Sequence, residues 1–257
     1  MKYYAVIDTN VFLSALISKR DDAAMEKRED DAYLITGNQK HYPIKDFIVT
    51  PAEIIKPVYG GSNDQQIKQQ SADVYETIPT FESDHFLLRA IEQKDAQDLL
   101  AVYSDPLAWP LFNADNCHGD LFHYDTLEKM QGAIAFWQQS YEGRWFVRWS
   151  IVEKESSKAI GTIECFHRDG KDFFHNTGLL RLDLHSKYET EAVIGELAAL
   201  LLEELYQLFD CSMIATKIVS QASERIKAFR QLGFVVAEEC LIGEDRSQYY
   251  DYYYIKK

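Results

Sequence analysis

The hydrophobic and polar positions divide the chain into two stretches with different patterns. Near the amino terminus, short apolar runs at Tyr4–Asp8, in "AYLITGN" and in "FIVT" predict three strands, and a dense run of charges separates the first from the second. Three strands within fewer than about 60 residues bury too little apolar surface to be stable alone. We therefore expect a small module that packs on something else.

From Ile78 onward, longer alternating strands and amphipathic helices follow one another. The order is a strand, two helices, three strands joined by the hairpin turns "KESSK" and "RDGKD", an almost wholly apolar helix, a strand, a helix and a final hairpin. The best-defined elements are predicted at Phe86–Arg89, Trp145–Glu153, Ala159–His167, Gly178–His185 and Glu191–Phe209. This order predicts an α+β fold with a mixed, mostly antiparallel sheet flanked by helices.

The polar stretch between the two patterns contains a Gly pair and predicts a linker. The expected domains are therefore a small segment at 1–56, a linker at 57–77 and a larger domain at 78–257. At the other end of the chain, "YYDYYYI" fits a final strand, and one face of it is a candidate homodimer contact.

Composition narrows the function classes. The 257 residues carry a formal net charge of −14, which argues against a general nucleic-acid surface because such a surface is basic. The longest apolar runs fall short of the roughly 20 residues of a membrane helix, and "MKYYAVIDTN" does not have the pattern of a signal peptide. The four cysteines are widely spaced, which predicts reduced thiols. We expect a cytoplasmic protein that binds neither nucleic acid nor a membrane.

Residues from about 80 to 257 contain three motifs in a recognisable order. They are "FESDHFLLRAIEQKDAQDLLAVYSDP", "IVEKESSKAIGTIECF" and "FRQLGF". In this order and spacing they resemble the GNAT acyltransferases, especially the RimJ/RimL-like branch that acetylates protein N-termini and small amines. The resemblance implies that acetyl-CoA lies between two splayed strands, with its diphosphate at a helix N-terminus, where backbone N–H groups and the helix dipole favour an anion.

The resemblance also implies which residues hold the cofactor. They are Leu182, Asp183, Leu184, Glu189, Thr190, Glu191, Ala192, Val193, Ile194, Gly195 and Ser220. The loop departs from the family pattern, because Glu189 stands in place of Arg or Gln. Ala192 and Ile194 stand in place of small residues, usually Gly, and a β-branched Ile is expected to restrict close approach. Glu189 and Glu191 also place negative charge near a diphosphate, which opposes binding.

The implied catalytic groups are altered as well. The family's cofactor-contacting Asn falls near Ala222, and its general-acid Tyr falls on Phe229, which has no hydroxyl to protonate a leaving thiolate. The general-base position falls near Leu179, so Asp183 and His185 are the candidate catalytic residues. The resemblance implies acetyl transfer from acetyl-CoA to an amine, with no metal. The alternative is an inactive GNAT scaffold that binds a partner.

The first 56 residues resemble a different family at both ends. "YAVIDTNVFLSALIS" and "DDAYLITGNQKHYPIKDFIVTPAEII" are similar to the first and last segments of PIN-domain nucleases, which hold Mg²⁺ or Mn²⁺ with several carboxylates. Asp8 is the first such carboxylate, but the central helices that carry others are missing, and Asn38 stands where many relatives have Asp. We expect a truncated α/β remnant of a PIN domain. A PIN-type ribonuclease is the second alternative.

Overall fold

The structure is a computed structural model that describes residues 73–117 and 119–257, together with three strands nearer the amino terminus. These are β1 (Tyr4–Val6), β2 (Tyr33–Ile35) and β3 (Ile48–Val49), which pair in parallel in the order β1–β2–β3. The chain forms two compact units, Met1–Lys68 and Gln69–Lys257. Asp8 and Asn38 lie outside the described residues, so the PIN-like remnant stays a prediction.

The larger unit contains an eight-stranded mixed sheet. Its strands are β4 (Phe81–Glu82), β5 (Phe86–Ala90), β6 (Val147–Glu153), β7 (Lys158–Arg168), β8 (Thr177–Leu184), β9 (Met213–Lys217), β10 (Val235–Val236) and β13 (Tyr252–Lys256). Their order across the sheet is β10–β13–β9–β8–β7–β6–β5–β4. Only β8 and β9 run parallel to each other, as a mixed, mostly antiparallel sheet requires. A separate hairpin pairs β11 (Leu241–Ile242) with β12 (Gln248–Tyr249).

Within residues 73–257 as described, four α-helices flank the sheet: α1 (Ala96–Tyr103), α2 (Leu127–Glu142), α3 (Glu191–Leu208) and α4 (Ser223–Gln231). Thr190 caps α3 by accepting a hydrogen bond from the Val193 N–H. Helix α4 stops before Gly233, whose φ of +91° is a conformation that glycine adopts without strain. Of the helices that the structure describes, none is both long enough and apolar enough to span a bilayer.

Helices cover both faces of the sheet. The face under α3 and α4 forms the main core, where Leu182, Leu184, Ile194 and Phe229 are almost completely buried. The face under α1 and α2 holds a second, aromatic-rich cluster. Val74, within the predicted linker, is buried in the main core. The predicted α+β architecture is therefore confirmed, and each predicted strand and helix of the larger unit is present within a few residues.

Candidate active site

Strand β8 is longer than its pairing with β9. The parallel pairing runs from Thr177–Met213 to Leu180–Thr216, and β8 then continues to Leu184. Residues 181–184 pair with β7 alone. The two parallel strands therefore separate toward the helices that follow them, α3 after β8 and α4 after β9.

Gly161 on β7 allows close packing against this open end of β8. A Cβ atom at this position would lie 2.1 Å from the carbonyl oxygen of Asp183, far inside van der Waals contact. The strand can therefore pair with Leu184 in its observed register only if residue 161 has no side chain.

Asp183 lies inside the protein on the face covered by α1, and its side chain is only 1% exposed. Its Oδ2 accepts hydrogen bonds from the Tyr103 hydroxyl at 2.9 Å and from the Arg148 guanidinium at 3.1 Å. Its buried Oδ1 has no hydrogen-bond partner among the residues that the structure describes. Burial raises the pKa of Asp183 by more than the nearby Arg148 lowers it. The carboxyl group is therefore shielded from water.

A row of buried charges continues across the sheet from Asp183. Glu164 on β7 accepts hydrogen bonds from Arg148 on β6 and, at 2.5 Å, from Arg181 on β8. Burial alone raises the pKa of Glu164, but the two guanidinium groups outweigh it and hold that pKa below its usual value. The Arg148 guanidinium also lies 4.2 Å from the centre of the Trp137 ring. This network fixes β6, β7 and β8 beneath the site, and no sequence motif indicates it, because its residues come from three separate strands.

His185 follows β8 directly and is partly exposed. Its Nδ1 accepts a hydrogen bond from the Lys187 N–H at 3.1 Å and lies 3.4 Å from Oδ2 of Asp105. The same Asp105 carboxylate accepts a hydrogen bond from the Ser186 N–H at 2.9 Å. Burial raises the pKa of Asp105, but its hydrogen bonds from Ser186 and Leu107 have the larger effect, so that pKa lies below its usual value. Asp105 thus anchors the loop that carries His185.

The N-terminus of α3 is already in contact with acidic side chains. The Glu191 N–H donates to a carboxylate oxygen of Glu224, on α4, at 3.2 Å. Ile194 points into the core with no exposed surface. Contrary to the expectation, its branched side chain therefore does not restrict approach to the helix surface. Gly195 has open space where a side chain would stand. The surface here is open, but a carboxylate holds one of its amide groups.

A groove of about 740 Å³ runs between the start of α3 and helix α4. Among the described residues that line it are three glutamates, Glu191, Glu196 and Glu224, and no lysine or arginine. Thr190 and Ala192 also line it. Ser220 lies on the exposed turn between β9 and α4.

A buried ion pair joins the two elements that follow the separated strands. Glu189 lies in the loop before α3, and Arg225 lies in the first turn of α4. Two nitrogens of the guanidinium donate to the two carboxylate oxygens of Glu189, one of them at 2.9 Å, and the third donates to the Leu111 carbonyl at 3.0 Å. Both side chains are less than a tenth exposed.

A second cavity, of about 520 Å³, opens beside the β7–β8 hairpin and reaches β8 at Leu179 and Arg181. Arg181 and Tyr252 line it, and so does Asp115, whose carboxylate accepts hydrogen bonds from Lys217 at 2.6 and 2.8 Å and from Tyr252 at 3.3 Å. Exposed carboxylates at Asp169 and Glu244 lie at its rim. Within residues 73–117 and 119–257, no three His, Cys, Asp or Glu side chains form a group that could hold a metal ion.

Comparison with known proteins gives a consistent result. A family model described as an acetyltransferase (GNAT) domain matches residues 85–235. One similar solved structure is a GNAT-family acetyltransferase from Bacillus anthracis, with a TM-score of 0.50 and 14% identity over 69% of this chain and 98% of that one. A second is a ribosomal-protein-S5-alanine acetyltransferase from Vibrio fischeri, with a TM-score of 0.51 and 18% identity over 70% of this chain and 96% of that one. A third is a spermidine N-acetyltransferase from Vibrio cholerae in complex with CoA and spermine, with a TM-score of 0.50 and 12% identity over 68% of this chain and 96% of that one. At these identities the likeness shows the fold. Among curated proteins, no match is found.

Proposed function

Because the chain belongs to the GNAT family of acetyltransferases, we propose that it transfers the acetyl group of acetyl-CoA to an amine. The observation that carries this proposal is the separation of β8 from β9 beyond Leu180. It leaves the backbone of Leu182, Asp183 and Leu184 without a strand partner on the β9 side. These backbone groups fit the amide-containing arm of acetyl-CoA, since such groups form hydrogen bonds when a partner is supplied.

The start of α3 fits the diphosphate of the cofactor after one exchange. Backbone N–H groups and the helix dipole favour an anion here, and the anion already in contact is the Glu224 carboxylate. Glu224 is partly exposed, so a phosphate oxygen can replace it on the Glu191 N–H. We assign the remaining contacts to Glu189–Gly195 and to Ser220.

The two candidate catalytic residues take different roles in this proposal. Bound acetyl-CoA supplies an activated acetyl thioester, and the amine must lose a proton as it attacks the thioester carbon. His185 is accessible and takes that proton at Nε2, which requires its Nδ1 to carry a proton toward the Asp105 carboxylate 3.4 Å away instead of accepting from the Lys187 N–H. Asp183 is buried and bonded to Tyr103 and Arg148, so it positions the open end of β8.

The cavity beside the β7–β8 hairpin is our proposed acceptor site. It reaches β8 at Leu179 and Arg181, on the face opposite the core under α3. His185 lies four residues beyond Arg181, about 13 Å along an extended strand, so the proton of the amine reaches it through intervening water.

The rim carboxylates of Asp169 and Glu244 suit an ammonium group. Asp115 is already paired with Lys217, and Arg168 and Lys171 also line the cavity, so the acceptor ammonium is expected at the rim. Similar structures are named as acetyltransferases of a ribosomal protein and of spermidine, so peptide N-termini and polyamines are the acceptors to test first.

Isothermal titration of the full chain with acetyl-CoA tests the cofactor assignment. We expect saturable binding, weakened by the negative charges of Glu189, Glu191 and Glu224. Titration with pantetheine, which has no phosphate, separates the contribution of the arm from that of the phosphates. If millimolar acetyl-CoA produces no heat of binding, the proposed function is wrong.

A further inference from the structure

The Glu189–Arg225 ion pair lies across the open end of the separated strands. Glu189 belongs to the loop that follows β8, and Arg225 belongs to the helix that follows β9. Arg225 is close enough to Asp183, on the open part of β8, for its charge to lower the pKa of that carboxyl. The pair therefore occupies the space between the two elements that border the proposed cofactor cleft.

The side chains of Glu189 and Arg225 differ in how readily each can move out of the ion pair. Arg225 is itself only 3% exposed, and the Leu111 carbonyl accepts a hydrogen bond from its guanidinium. Glu189 is in a surface loop between the exposed residues Lys187 and Thr190. A rotation of Glu189 can return its carboxylate to water, whereas Arg225 stays buried, so the exchange is favourable only when another anion takes the place of the carboxylate.

We propose that Arg225 is the phosphate-binding residue of this cleft, and that Glu189 occupies it until a phosphate-containing ligand arrives. A guanidinium group binds a phosphate with the same bidentate hydrogen bonding that Arg225 uses for the Glu189 carboxylate. Arg225 does not itself line the groove in front of α3 and α4, but it follows Glu224, which does, and no lysine or arginine is among the described lining residues. This inference rests on the proposed function, because it takes the phosphates of CoA as the ligand.

Titration of the full chain with CoA and with pantetheine tests the exchange. Glu189→Gln removes the competing carboxylate but keeps the side-chain size, so we expect CoA to bind about tenfold tighter, a change of the size that one charge-assisted contact gives. Pantetheine affinity should stay unchanged, because pantetheine carries no phosphate. Glu204→Gln makes the same charge change on an exposed position of α3 and should leave CoA affinity within about twofold of wild type, since its charge is screened by solvent.

Arg225→Lys provides a second variant, which keeps the positive charge but cannot form bidentate hydrogen bonds to a phosphate. We expect it to weaken CoA binding and to leave pantetheine binding unchanged, with thermal unfolding confirming that the variant is folded. If wild type binds CoA and Glu189→Gln binds it no more tightly, the exchange is wrong while the proposed function stands. If neither protein binds CoA at millimolar concentration, both are wrong.

Discussion

The hydroxyl of Tyr103 donates a hydrogen bond of 2.9 Å to the carboxylate of Asp183, between helix α1 and the open end of strand β8. The same hydroxyl lies 2.8 Å from the hydroxyl of Thr162 on β7 and accepts a hydrogen bond of 2.9 Å from Arg148 on β6. One phenol group thus ties a helix to three neighbouring strands. The position of the proposed site depends on this contact, because β9 does not support β8 beyond Leu180.

Removal of this hydroxyl should destabilise the fold. Tyr103→Phe leaves Asp183, Thr162 and Arg148 each with one partner fewer in a buried place, so we expect a loss of about 1–3 kcal/mol in the free energy of unfolding by urea. Tyr250→Phe is the matched control, since Tyr250 is 56% exposed and should change stability by less than about 0.5 kcal/mol. Equal stabilities for the two variants would show that the buried contact contributes nothing.

Two glycines should respond in opposite directions to a methyl group. Gly161→Ala places a Cβ atom 2.1 Å from the Asp183 carbonyl, so we expect it to lower the free energy of unfolding by about 2 kcal/mol or more through forced backbone movement. Gly195→Ala has no atom within 4 Å of the new group and should stabilise helix α3 by about 0.5–1 kcal/mol. Thermal unfolding of both variants measures the difference. A stable Gly161→Ala protein would contradict the tight pairing of β7 with β8.

The Asp95 carboxylate should make stability depend on pH. It accepts two hydrogen bonds from Arg89, at 2.9 and 2.6 Å, and one from Ser150 at 2.7 Å. Burial raises the pKa of Asp95, but these hydrogen bonds lower it by a larger amount, so the folded-state pKa lies below the usual value. The stabilisation is therefore complete above the unfolded pKa of about 3.9 and is lost as pH falls through the folded pKa.

Asp95→Asn should reveal this contribution. At neutral pH we expect the variant to be less stable by about 2 kcal/mol, the scale of hydrogen bonds to a charged group. The gap to wild type should narrow as the pH falls below about 4. Urea unfolding at a series of pH values gives the comparison, with the exposed Asp84→Asn as control. A gap that is independent of pH would mean that the Asp95 charge is not involved.

His185 should affect the rate of acetyl transfer more than the binding of acetyl-CoA. His185→Gln removes a proton-exchanging group, and such groups contribute about 10²–10⁴-fold to kcat. We expect kcat to fall within that range and the affinity for acetyl-CoA to stay within a few-fold. His123→Gln changes an exposed histidine that lines neither the acceptor cavity nor the groove before α3, and it serves as control. A wild-type kcat in His185→Gln would remove His185 from the mechanism.

The sequence predicted the elements of the larger unit well, because each depends on local patterns. Strand alternation and the hairpin turns located β6, β7 and β8, and the apolar length of α3 marked it as buried. The site was harder to predict. Arg225 contacts Leu111, which is 114 residues away, and Arg148 meets Asp183 across 35 residues, so no short motif reveals either contact.

Individual side chains also took directions that a residue count does not give. Ile194 is the fourth residue of α3, and the helix turns it into the core and away from the groove. Glu189 was expected to repel a diphosphate, but the structure adds a partner, because the fold brings Arg225 next to it. Both outcomes depend on how α3 and α4 pack together, which is a tertiary property.

The most direct test of the central claim is turnover by the full chain. It is incubated with acetyl-CoA and a panel of peptide N-termini and polyamines, with release of the CoA thiol followed in solution and the products identified by mass spectrometry. We expect saturable thiol release that requires an amine, together with an acetylated amine, and both should be lost in step with kcat in His185→Gln. Saturable binding of acetyl-CoA without an acetylated product for any amine in the panel would contradict acetyl transfer.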